Sequence, residues 1–156
     1  MVKSDFSSMM KRLEGLLEEY LAKKAPGLPK NWKEFLVKIT PYLVIIGVIL
    51  GVPAVLALLG ISSFVIPLGT FGGMMTGRPL LGVDYLIQVL FLIIVLFLEA
   101  LAIAPLFRRK KKGWQYLYYA ALINGLNSLI HFELGGLIIG TGLSLYLLFQ
   151  VKEYYN

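Results

Sequence analysis

Three apolar runs, Leu43 to Leu59, Tyr85 to Phe107 and Leu134 to Val151, carry almost no ionisable group between their ends. A helix rises about 1.5 Å per residue and needs about 20 apolar residues to cross a hydrocarbon layer about 30 Å thick. The second run meets that length, the first does so with the residues from 36 that precede it, and the third nearly reaches it. A more polar run, Trp114 to Phe132, supplies a fourth. The pattern therefore predicts an all-α chain, a transmembrane four-helix bundle with spans near residues 36–59, 85–107, 114–131 and 134–151. With 58% hydrophobic and 15% charged residues, there is too little polar surface to coat a water-soluble globule of 156 residues.

The charges indicate orientation. Eight basic residues precede or open the first span (Lys3, Lys11, Arg12, Lys23, Lys24, Lys30, Lys33, Lys38), five more form Arg108 to Lys112, and Lys152 follows the last span. With four spans, these fall on one side and Arg78 alone on the other, which by the positive-inside rule puts both termini in the cytoplasm of a cell membrane. The net charge of +6 is then an orientation device with some affinity for anionic lipid, not the footprint of a nucleic-acid partner. Met1 to Phe6 resembles neither a signal peptide nor a lipidation signal.

Residues 1–30 form an arm ahead of the bundle at 31–156. Phe6, Met9, Met10, Leu13, Leu16, Leu17, Tyr20 and Leu21 recur at three- and four-residue spacing, one apolar stripe on a helix that Ser4 can cap and Ala25 to Pro29 ends. The stripe must be covered by the membrane surface, by the bundle or by a second copy. The sequence does not choose among them, and the near-balance of charge on the polar face predicts weak electrostatic adhesion. The Pro-Gly interruption predicts that the arm is separable from the bundle.

Trp32, Trp114, Tyr154 and Tyr155 stand at helix ends, where amphipathic rings act as interface anchors. Small residues four apart, Gly47 and Gly51, Ala121 and Gly125, then Gly136, Gly140 and Ser144, predict close helix packing in lipid. Pro53 should bend the first span. The segment Ile61 to Val83 is apolar yet broken by glycine and proline, so it either lies along the outer interface or re-enters the bundle. It lacks the acidic or carbonyl-rich repeat of an ion filter.

Glu99 is the one carboxylate predicted at membrane depth, about 12 Å from the cytoplasmic end of its helix. An acidic residue there costs roughly 2.5 to 3.5 kcal/mol, so it should face protein and be protonated or hydrogen-bonded. Gln88 lies three turns earlier on the same face. The next helix offers Tyr118 and Asn124 at matching depth, with Asn127, Ser128 and His131 further out, and the last offers Thr141, Ser144 and Tyr146 at similar height. Two readings stand. The cluster is interhelical glue, with Glu99 donating to Asn124 or Tyr118, or it binds a cation or relays a proton in an oligomeric ion or small-solute carrier.

Enzyme chemistry finds no constellation: Ser62 and Ser63 lack a nearby base, no phosphate-binding loop is present, and Asp5 and Asp84 fall on opposite sides of the membrane. Zero cysteines and a single histidine, His131, argue against a metal centre, and no cofactor is expected. The last third of the chain, from Gly113-Trp114 through Asn124 and then Leu145 to Tyr155 with its Val-Lys-Glu-Tyr-Tyr ending, resembles small uncharacterised bacterial four-helix integral membrane proteins. The resemblance implies the same architecture and carries no substrate or catalytic residue. The expectation is a non-enzymatic membrane protein of structural or assembly type that binds itself or a partner within the lipid bilayer.

Overall fold

The computed structural model describes residues 2–58 and 83–156. The glycine-rich segment and Arg78 lie outside the described residues, and only Val83 of that segment falls within them. The described residues are almost all helical, with no strand among them. Helix α1 (Val2–Glu18) runs into a π-helical turn (Glu19–Lys24); α2 spans Lys30–Leu58, α3 Val83–Phe107 and α4 Lys111–Ile130. A π-helical segment (Gly136–Gly142) leads into α5 (Leu143–Gln150), and a short 3-10 turn (Lys152–Tyr154) closes the chain. Ser4 lies inside the first turn of α1, which begins too early for Ser4 to cap it.

Two stretches, Lys30–Leu56 and Ile87–Phe107, are long and apolar enough to cross a membrane. Both present large apolar side chains outward, among them Ile46, Ile49, Leu50, Leu90 and Phe97. The helix Gly136–Gln150 is apolar but shorter. Helix α3 packs between α2 and α4, and α4 packs on the π segment and α5.

Glycine sets how close these helices come. A side chain at Gly51 of α2 would collide with Leu96 of α3, and one at Gly125 of α4 would come within 2.8 Å of Thr141 Cγ2. A Cβ at Gly113 would meet the backbone nitrogen of Leu106 at 2.8 Å, so only glycine fits this hairpin. Gly51 and Gly125 thus each stand at a close contact between helices. Gly140 does not, because a Cβ there would enter open space.

The core lies at one end of the molecule. Trp114 is wholly buried, stacks on Tyr118 at 5.3 Å and meets Phe149 edge-on at 5.4 Å, while its indole Nε1 donates to the carbonyl of Leu148 at 2.7 Å. Its expected place as an interface anchor is therefore corrected: the indole N–H is satisfied inside the protein, and the ring fills the gap between α4 and α5. Tyr155 is corrected likewise, being buried in the same cluster, and Tyr154 packs partly against it. Trp32 remains 60% exposed, next to Phe35.

The closing residues gather the other elements at this end. Gln150 is 3% exposed; its Nε2 donates to Leu21 O at 2.9 Å, and its Oε1 accepts from Leu28 N–H at 3.1 Å. Lys152 pairs with Glu14 at 2.9 Å and Glu18 at 2.6 Å, Lys33 with Glu153 at 3.0 Å, and Tyr146 donates to Pro26 O at 2.6 Å. The N–H of Asn156 donates to Arg109 O, and its carbonyl accepts from Lys111 N–H. The arm is consequently bonded to the bundle, with Met10, Leu17, Leu21 and Ala22 against the core, and does not stand apart as the Pro-Gly interruption suggests.

Candidate functional site

Of the polar residues that the sequence brings forward, the structure collects one group and leaves the others apart. Asn124, Asn127 and Ser128 of α4 and Gly136, Gly140, Thr141 and Ser144 of the following helix, with Ala121 at the base, line a cavity of about 240 Å³ that opens on the outside of the helix pair. The helical spacing explains the set. Residues 124, 127 and 128 share one face of α4, and 136, 140 and 144 form a stripe on the opposing helix.

Two atoms in this cavity give it its character. Thr141 is 8% exposed and Ser128 equally so, and both Thr141 Oγ1 and Asn127 Oδ1 are buried without a hydrogen-bond partner among the described residues. Leaving such a group unpaired in an apolar surrounding costs about 2 to 7 kcal/mol, so each marks a place where a partner group belongs. Asn124 is exposed at the rim, with Ser144 and Gly140 beside it. The π-helical winding at Gly136–Gly142 contributes: inserting a residue into the turn leaves the backbone wider than an α-helix, a device found often at functional positions.

Glu99 does not join this cavity. Its Oε2 faces Gly47 of α2, 3.7 Å from where a Cβ would sit, and it forms no hydrogen bond or ion pair with the described residues. The expected bond to Asn124 or Tyr118 is absent: Asn124 looks outward, and Tyr118 is drawn into the aromatic stack with its Oη unpaired among the described residues. Gln88 is half-buried on α3, also away from the cavity. A Cβ at Gly47 would make only ordinary van der Waals contact with the Glu99 carboxyl, so the carboxyl lies against α2 without needing glycine there.

The residues that sequence reasoning passed over lie at the core end. Gln150 reads as one more polar residue near a helix exit, yet both halves of its amide hold the arm. Lys152 reads as an orientation charge, yet it is a clamp, with its ammonium also over the rings of Trp114 at 5.1 Å and Phe149 at 5.6 Å. Burial pulls the Lys152 ammonium down, but its bonds and charge attraction to Glu18 and Glu14 prevail and hold it above the usual lysine range. Burial also pushes the Tyr155 phenol up. A sequence signal existed for the clamp, because Glu14 and Glu18 are one turn apart on the same helix face, but nothing local says which lysine they meet.

No group of histidine, cysteine and carboxylate side chains able to hold a metal occurs among the described residues. No protein-family model matches the chain, and neither a curated protein nor a solved structure does.

Proposed function

We propose that the protein is a small, non-enzymatic multi-pass membrane protein that assembles with copies of itself through the groove between α4 and the Gly136–Gly142 segment. In this reading the chain crosses the bilayer four times, the architecture of the small bacterial four-helix membrane proteins it resembles, and the distribution of Lys and Arg puts both termini in the cytoplasm. Support comes from the two long apolar helices and from the gathering of Lys33, Arg109, Lys111 and Lys152 at one end of the helices.

The observation that carries the assembly reading is the pair of buried, unpartnered atoms, Thr141 Oγ1 and Asn127 Oδ1, beneath an open stripe of Gly136, Gly140 and Ser144. Acyl chains cannot satisfy a hydroxyl or an amide, whereas a second helix can, and small residues let its backbone come close enough to do so. A copy related by a two-fold axis would bring its own Asn124 amide to the groove. Glu99 then serves within the bundle, at the α2–α3 contact. A carrier built on Glu99 is the weaker reading, since that carboxyl does not line the cavity.

Mass measurement in mild detergent tests the proposal. The wild type is expected to run as a dimer or larger, and Gly140→Leu and Asn124→Leu as monomers that keep their helix content. A wild-type monomer under conditions where the fold survives would overturn it.

A further inference from the structure

Helix α1 is divided by its neighbours into three faces. At about 100° per residue, Met10, Leu17 and Leu21 turn toward the core, and Glu14 and Glu18 beside them turn toward Lys152. Phe6, Met9, Leu13, Leu16 and Tyr20, spaced alternately by three and four, form a second apolar face that is left exposed. The third face is polar. Three of the eight residues of the stripe read from the sequence are thus used in the fold, and five have no cover among the described residues.

Docking changes the charge of what remains. With both carboxylates of Glu14 and Glu18 engaged by Lys152, and Lys24 paired with Glu19 at 3.0 Å, the outward faces of the arm retain Lys11, Arg12 and Lys23 against Asp5. The near-balance seen along the sequence becomes a basic excess around an open apolar strip. Lys24, paired with Glu19, also lies 4.3 Å over the Tyr20 ring at the end of the strip. Residues 25–29 then join the arm to α2 and reach at most about 17 Å. The arm is held close to where α2 enters the membrane, with Trp32 and Phe35 exposed just beyond.

We propose that α1 lies in the plane of an anionic membrane surface, with Phe6, Met9, Leu13, Leu16 and Tyr20 among the acyl chains and the flanking lysines and Arg12 at the head groups. The inference rests on the membrane reading above. Apolar burial and basic flanks act together in such helices, and long cationic side chains reach the head groups while their stems stay in apolar contact. The Lys152 clamp sets the rotation of the helix, so that the open face is turned away from the core.

The test uses the full chain, which has no cysteine of its own. Single variants Met9→Cys, Leu16→Cys, Gly15→Cys and Ile49→Cys are labelled with a fluorophore and reconstituted in phosphatidylcholine vesicles with and without phosphatidylglycerol. Each is then exposed to brominated lipid or to aqueous iodide. Labels at Met9 and Leu16 are expected to be quenched by brominated lipid as strongly as the label at Ile49, whereas Gly15 responds to iodide. Omitting the anionic lipid should weaken lipid quenching at Met9 and Leu16 and leave Ile49 unchanged. If Ile49 is lipid-quenched while Met9 and Leu16 answer to iodide, the arm is in water and the proposal falls. Shielding of those two from both quenchers means that a second copy covers the face, which also overturns it. Loss of lipid quenching at Ile49 itself would instead sink the membrane reading.

Discussion

Arg109 and Phe132 have left-handed backbones, with φ of 50° and 53°, and each ends a helix. At the first turn Arg109 N–H donates to Leu106 O and Lys110 N–H to Pro105 O; at the second Phe132 N–H donates to Leu129 O and Glu133 N–H to Ser128 O. These are Schellman closures in which glycine is the favoured residue. Phe132 is 88% exposed, so its ring does little to offset the strain. Phe132→Gly is expected to stabilise the fold by about 1 kcal/mol, read as a raised thermal midpoint in detergent. Trp114→Phe should have the opposite sign. It removes the donor to Leu148 O and costs about 1 kcal/mol or more, since a buried carbonyl loses that partner. Neither effect is legible along the chain: a bare Arg-Arg-Lys run says basic turn, not left-handed Arg109, and a tryptophan at a helix entrance fits an anchor as well as a core.

At the scale of elements, the apolar runs delimit α2 and α3 well, because a span needs little more than length and hydropathy. The arm is where local reading stops. Its stripe names the residues that must be covered but not the two different surfaces that divide them, which depend on Lys152 and Gln150 more than a hundred residues away. Removing residues 1–24 should therefore lower the thermal midpoint, because Gln150 Nε2 and Lys152 lose their partners in a buried setting. The clamp also gives a pH dependence. Lys152 and Tyr155 both keep their protons more tightly folded than unfolded, so their contribution is complete at neutral pH. It fades only as pH rises through their raised folded values, above the ordinary lysine and tyrosine values of about 10. Thermal midpoints followed toward alkaline pH should fall, and Lys152→Met should lower the midpoint at neutral pH while flattening that fall. An unchanged alkaline profile in the variant would remove Lys152 from the account.

For the whole molecule, the described helices leave an outward groove that is polar within an apolar exterior, and in the proposed function the chain's use follows from what fills it. Part of that groove was legible, since Asn124, Thr141 and Ser144 can be placed at similar height from their spacing and Asn127 on the same face further out. Their separation from Glu99 was not, because it depends on which way α3 is rotated against α2, where Gly51 receives Leu96. The most direct measurement is disulfide crosslinking in native membranes, starting from the cysteine-free chain. Gly140→Cys, in open space on the groove, is expected to give a crosslinked dimer, and Ile49→Cys on the exposed face of α2 to give none. Efficient crosslinking at Ile49 with none at Gly140 would contradict assembly through this groove.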